Sequence, residues 1–134
     1  IKMERLSVKG NLKFPTLDFD PHNGVFEIYG RSLPENTIEF YKPVLEWLDN
    51  YKSNAVPKTV VNVSLEYFNT SSSKLILDIF KKFREIHDAG KSIEVNWFYE
   101  EDDPDLQSQG ELFQEISGVP MKLHSVKEFS FVLS

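Results

Sequence analysis

The run KTVVNVSLEYF, Lys58 to Phe68, is followed after a short polar break by SKLILDIFKKFREIHDAG, Ser73 to Gly90. The first run carries β-branched residues at Thr59, Val60, Val61 and Val63, as a strand does. In the second, Leu75, Ile79, Phe83 and Ile86 recur at helical spacing, and Ile76 and Phe80 widen the stripe. Gly90 suits the position just past a helix end. KSIEVNWFY, Lys91 to Tyr99, then reads as another strand. A strand feeding an amphipathic helix and then a second strand implies a right-handed crossover, with the helix packed on the sheet. The expected fold class is α/β, a mixed β-sheet with helices against it.

The rest of the chain fits that scheme. FPTLDFDPHNGVFEIYG predicts two strands around a turn: Phe14, Leu17 and Phe19 before it, Pro21 to Gly24 in it, and Val25, Phe26 and Ile28 after it. Met3 to Val8 adds a further strand. LPENTIEFYKPVLEWLDNYK predicts a helix with Ile38, Tyr41, Leu45 and Leu48 on one face and Val44 and Trp47 beside it. Asn36 is its cap, and Glu39 follows three residues later as in a capping box. Pro43 should kink or break this helix. DPDLQSQGELFQEI predicts a weaker helix interrupted by Gly110, VPMKLHS a short strand, and EFSFVL a last edge strand, with Phe129 to Leu133 pairing between chains or covering their own edge.

With 134 residues, 40% of them hydrophobic, the chain has material for one domain spanning 1–134. It has no cysteine, which excludes disulfides, thiolate metal sites and thiol nucleophiles. A net charge of -6 with scattered basic residues disfavours nucleic acid and anionic membrane surfaces, because like charges repel. No apolar run approaches the roughly 20 residues that span a bilayer, and no signal peptide is evident, so a cytoplasmic location is expected.

Few motifs point to catalysis. Ser71-x-x-Lys74 fits the start of the serine acyl-enzyme set, but the S-D-N and K-T-G partners are missing: Lys58-Thr59 is followed by Val60. His22, His87 and His124 lack metal-ligand spacing. The acidic run Glu100 to Asp105 lacks the closing ligand of a calcium loop, since Ile116 stands at the twelfth position counted from Asp105. Asn69-Thr70-Ser71 and Asn62-Val63-Ser64 match the glycosylation sequon by chance in a chain without a secretion signal. No metal or cofactor is expected.

The polar break itself is the most informative stretch. Asn69, Thr70, Ser71, Ser72 and Ser73 stand in a row, and one cap needs only one of them. Lys74 follows where a cation opposes the helix dipole, an effect that Asp78, four residues on, can soften. Free backbone N–H groups, the dipole and Lys74 together suit an anion, including a phosphate carried by Thr70 or Ser71. A purely structural domain whose hydroxyls are only caps, and a small hydrolase or ligand-binding domain using Ser71, Lys74 and Asp78, are the alternatives.

Three stretches carry a family likeness that spans Phe14 to Leu123. They are GRSLPEN, EYFNTSSSKLILDI, and NWFYEEDDPDLQSQGELFQEI with the following VPMKL. On these the chain resembles the SiaC family of regulatory phosphoproteins. It departs from the family pattern at Leu106, Gln107 and Gln109, where an acidic residue and Met are expected. The resemblance implies a fold like the STAS domains of anti-sigma factor antagonists. It also implies partner switching, in which a Ser/Thr protein kinase phosphorylates a strand-to-helix loop and a PP2C-type phosphatase restores it. The unphosphorylated protein then engages a regulated effector such as a diguanylate cyclase, in cyclic-di-GMP signalling. The family's phosphorylated residue falls on Thr70, with Ser71 the second choice and Ser71 and Ser72 as candidate caps or secondary acceptors. The switch loop and docking face fall on Ser32, Pro34, Glu35, Asn36, Tyr67, Asn69, Ser71, Ser72, Lys74 and Asp78.

Overall fold

A computed structural model describes residues 3–131. Its elements are β1 (Leu6–Val8), β2 (Thr16–Asp20), β3 (Val25–Ser32), α1 (Thr37–Lys52), β4 (Lys58–Phe68), α2 (Thr70–Asp88), β5 (Ser92–Glu100), α3 (Pro104–Ser117) and β6 (Met121–Val126). The six strands form one mixed sheet in the order β1-β2-β3-β4-β5-β6. β1, β2 and β3 meander antiparallel, and β3 to β6 run parallel through three helical crossovers. The α/β expectation therefore holds.

Asp20 ties the β2–β3 turn. Its carboxylate accepts from the His22 and Asn23 backbone N–H groups at 3.0 and 3.2 Å, and Gly24 closes the turn at φ 68°. Parallel strands added in one direction by right-handed crossovers place their helices on one face. Burial alternates accordingly: Phe26 and Ile28 of β3, Val61, Val63 and Leu65 of β4, and Ile93, Val95 and Trp97 of β5 are buried in a single core. The α2 stripe Leu75, Ile76, Ile79, Phe80, Phe83 and Ile86 lies on it as the spacing predicts.

Three expectations need correcting. The buried face of α1 is Thr37, Tyr41, Val44, Leu48 and Tyr51, one step round from the expected stripe; Ile38 is 69% exposed. Thr37, Tyr41, Val44, Leu48 and Tyr51 form the inward row, and Ile38 stands about 100° round from Thr37, off that row. α1 also runs unbroken through Pro43, which forfeits one backbone bond while the packed face holds the rest. α3 passes through Gly110 without interruption. The Asn36–Glu39 pair does cap α1, the Glu39 N–H reaching Asn36 Oδ1 at 3.1 Å and Asn36 Nδ2 donating to Glu39 Oε2 at 3.2 Å.

The opposite face of the sheet is polar. Asn62 Nδ2 donates to Glu27 Oε1 at 3.3 Å, Asn96 Nδ2 to Asn62 Oδ1 at 3.1 Å, and His124 Nε2 meets Asn96 Oδ1 at 2.9 Å. This ladder crosses four strands. The C-terminal segment lies over the same face. The Phe129 N–H donates to Glu100 Oε2 at 2.9 Å, and the Phe131 ring sits 5.5 Å from Tyr29 on β3. Residues 128–131 thus form no edge strand, and Val132 and Leu133 lie outside the described residues. Among the described residues no helix is long and apolar enough to cross a membrane.

Candidate functional site

The site is built where β3 and β4 end. Gly30 adopts φ 108°, a conformation closed to side-chain-bearing residues in practice, and the register slips there. Arg31 then faces Tyr67 and Ser32 faces Phe68. Phe68 turns into the core against Trp97 and Phe113, while Tyr67 turns outward, 47% exposed, with the Arg31 guanidinium 5.8 Å above its ring. The slip brings the Ser32 carbonyl to the next turn, where it accepts the Asn69 N–H at 3.0 Å.

Asn69 is the cap of α2. Its Oδ1 accepts the Ser72 N–H at 2.9 Å, so neither Ser71 nor Ser72 caps the helix. The longer reach of an amide side chain one residue earlier wins the position. Thr70 is therefore the first helical residue rather than a loop residue. The row of hydroxyls sorts by direction. Ser72 is fully buried; Ser73 Oγ donates back to the Thr70 carbonyl at 2.6 Å; Ser71 Oγ donates to Asn69 Oδ1 at 3.3 Å. Thr70 is exposed, and among the described residues its hydroxyl engages no partner.

Beneath the row lies a buried hydroxyl cluster. Tyr41 Oη is 2.5 Å from Ser32 Oγ, Ser32 Oγ donates to Ser72 Oγ at 2.9 Å, and Ser72 Oγ donates to the Ser32 carbonyl at 3.1 Å. Burial pushes the Tyr41 phenol up to about 12, the hydrogen bond with Ser32 acting the other way. Ser32 and Ser72 are 0% exposed, so both are excluded from direct contact with a partner and support the docking face from below.

Two grooves flank the start of α1. Thr37, Ile38, Thr70, Ser71, Ser73, Lys74, Leu75 and Asp78 line one of about 640 Å³, and Lys13, Phe14, Pro34, Glu35, Asn36, Glu39 and Phe40 line the other, about 500 Å³. Thr70, Ser71, Lys74 and Asp78 thus meet in one groove, Pro34 to Asn36 border its neighbour, and Tyr67 lies apart from both. Lys74 and Asp78 share the groove without forming an ion pair among the described residues. Sequence reasoning missed three contributors: Ile38, the Phe14–Phe40 stack at 5.2 Å, and the Tyr41 hydroxyl. A phenol within an apolar stripe was the available signal for the last, since a buried Tyr O–H seeks a partner.

This arrangement of sheet, helices and strand-to-helix junction matches known proteins. The model of the SiaC family of regulatory phosphoproteins covers residues 8–126. The chain belongs to the SiaC family. SiaC of Pseudomonas aeruginosa superposes with a TM-score of 0.83 at 27% identity, over 92% of this chain and 100% of that one. The crystal structure of the diguanylate cyclase SiaD in complex with its activator SiaC, from the same species, matches with a TM-score of 0.83 at 26% identity, over 90% of this chain and 99% of that one. An uncharacterized protein of Pseudomonas aeruginosa (strain UCBPP-PA14) is 26% identical over 126 residues, 94% of this chain and 100% of the relative. The SiaC-family assignment accounts for the six-stranded mixed sheet and its three helices.

Proposed function

We propose that this SiaC-family chain is a non-enzymatic partner switch whose acceptor is Thr70. A Ser/Thr protein kinase adds the phosphate, a PP2C-type phosphatase removes it, and the unmodified form binds and regulates an effector of the diguanylate cyclase class. The observation that carries this reading is the sorting of the row: among the described residues, Thr70 alone in the row combines an exposed side chain with an unengaged hydroxyl. The effector class is drawn from the relative SiaC, the activator in a complex with the cyclase SiaD.

The physical logic is local. A phosphate on Thr70 brings a charge of about -1.5 to -2 to the first residue of α2, where helix N–H groups and Lys74 tolerate it. The fold is unaffected, because that charge meets solvent and the dipole rather than the core. The groove is another matter. Ile38 and Leu75 give it an apolar wall, and a partner seated there would strip water from the dianion. Each 1.4 kcal/mol of that cost weakens binding about tenfold.

The hydrolase alternative needs Ser71 beside a base. Its Oγ donates to the cap Asn69 instead, which favours the switch. The test is phosphosite mapping after incubation with ATP and the kinase, followed by titration of modified and unmodified protein against the cyclase. Phosphate on Thr70 with binding confined to the unmodified form is expected. Phosphate outside Thr70 to Ser73, or equal binding by both forms, overturns the reading.

A further inference from the structure

The Tyr41–Ser32–Ser72 cluster joins three elements that the core would otherwise join with apolar side chains. Each hydroxyl has one proton to give, and the contacts admit one complete assignment. Ser72 gives its proton to the Ser32 carbonyl, Ser32 gives its own to Ser72 Oγ, and Tyr41 must then give its proton to Ser32 Oγ. The relay closes with every donor used. All three residues are buried, with Ser32 and Ser72 at 0% and Tyr41 at 1% exposure. A buried polar set is costly unless fully satisfied, so its complete satisfaction makes the geometry sharply defined.

That geometry acts on the acceptor. The Ser32 carbonyl holds both the Asn69 N–H and the Ser72 hydroxyl, and Asn69 Oδ1 holds the Ser72 N–H. The backbone from Asn69 to Ser72 is therefore anchored at both ends. With Ser72 Oγ pinned inward, the helical step of about 100° per residue places Thr70, two residues earlier, about 200° round and facing out. Ser71 and Ser73 fall to the flanks, where short local bonds occupy them.

We infer that the Tyr41–Ser32–Ser72 hydroxyl relay is the positioning device that selects the acceptor within the row, turning Ser72 inward and presenting Thr70 to the kinase. The inference rests on the reading of Thr70 as the acceptor. Tyr41, Ser32 and Ser72 touch neither kinase nor nucleotide; they act through the backbone of the first turn of α2.

The test compares Tyr41→Phe, Ser32→Ala and Ser72→Ala with Tyr51→Phe. Tyr51, on the same helix as Tyr41, has its Oη 2.8 Å from Thr59 Oγ1 of β4, a second buried hydroxyl pair, so Tyr51→Phe removes the same chemical group far from the row. Each protein, checked as folded by circular dichroism, is incubated with ATP and the kinase. Phosphate is then mapped residue by residue, and kcat and KM are measured. Amide hydrogen exchange at Ser72 and Ser73 is followed on the protein alone. Wild type and Tyr51→Phe should carry their phosphate on Thr70. The relay variants should lose about tenfold in kcat/KM at Thr70, pass phosphate to Ser71 or Ser73, and exchange those amides about tenfold faster, the scale of one lost buried hydrogen bond. If the relay variants match Tyr51→Phe in site choice and exchange while Thr70 still takes the phosphate, the positioning role is wrong and the acceptor reading stands. A wild-type protein phosphorylated on Ser71 or Ser73 overturns the selection by the relay, and phosphate outside Thr70 to Ser73 overturns both.

Discussion

Trp97 and Gly110 fit each other: a Cβ built on Gly110 would come within 2.5 Å of Trp97 Cδ1. The indole is fully buried, its Nε1 donates to the Leu106 carbonyl at 3.0 Å, and Phe68, Phe80 and Phe113 hem its ring. The glycine in α3 is thus a docking notch for β5. Gly110→Ala should destabilise the fold by about 1–3 kcal/mol, because overpacking against a ring that cannot move outweighs the roughly 1 kcal/mol gained in helix propensity. Urea denaturation measures it, and an unchanged or raised midpoint would refute the fit.

Ile38 should matter to binding and not to stability. It is 69% exposed and walls the groove that holds Thr70. Ile38→Asp should leave the melting temperature within about 2 °C of wild type, as surface changes do. It should weaken effector binding at least about tenfold, by placing a charge on an apolar contact. Isothermal titration against the cyclase reads the second effect; undiminished affinity would place the interface elsewhere.

Much of this architecture was legible in the sequence, and the failures have definite causes. The α2 stripe is legible because about three turns of apolar residues fix both the period and the phase of a helix. In α1 the period was right and the phase was not, since Ile38 and Tyr41 offered two overlapping stripes and only the sheet could choose between them. Gly110 was read as a break because propensity sees the missing side chain, while the Trp97 ring that needs the gap comes from a distant strand. The hydroxyl row exceeds what one cap needs. That Ser72 points inward could not be seen, because its partner Ser32 lies 40 residues away and arrives through a strand bulge.

Alkaline stability should report on Tyr41. Burial raises its phenol from 10.0 to about 12, so the folded state holds the proton more tightly than the unfolded chain. Its contribution is fully present below the unfolded value of 10.0 and is lost as pH rises through the folded value of about 12. Two units correspond to about 2–3 kcal/mol. Wild type should therefore lose that much more stability across this window than Tyr41→Phe, which has no proton to lose. Urea denaturation of both proteins at intervals through the window tests it, and parallel pH curves would count against a buried phenol.

Substitutions at Thr70 should separate charge from shape. Thr70→Ala should bind the effector whether or not kinase is present, because the proposed acceptor is gone and the groove keeps its apolar wall. Thr70→Asp should weaken binding by less than the phosphate does, having one charge and two oxygens against nearly two charges and three. Both variants should melt near wild type, since Thr70 is exposed. Binding by Thr70→Asp as tight as by Thr70→Ala would mean that negative charge at this position is not what blocks the partner.

The strand order β1 to β6 follows the chain without a single jump. Each strand finds its neighbour in the segment just made, so no pairing waits for a later part of the chain. The loops to be closed are short at the start, where β1, β2 and β3 meander, and grow to one crossover each thereafter. Closing them in order costs the least chain entropy at every stage. A chain leaving the ribosome can lay down its sheet from the N-terminal edge inward, with the strand and helix that frame Thr70 added to a template already in place.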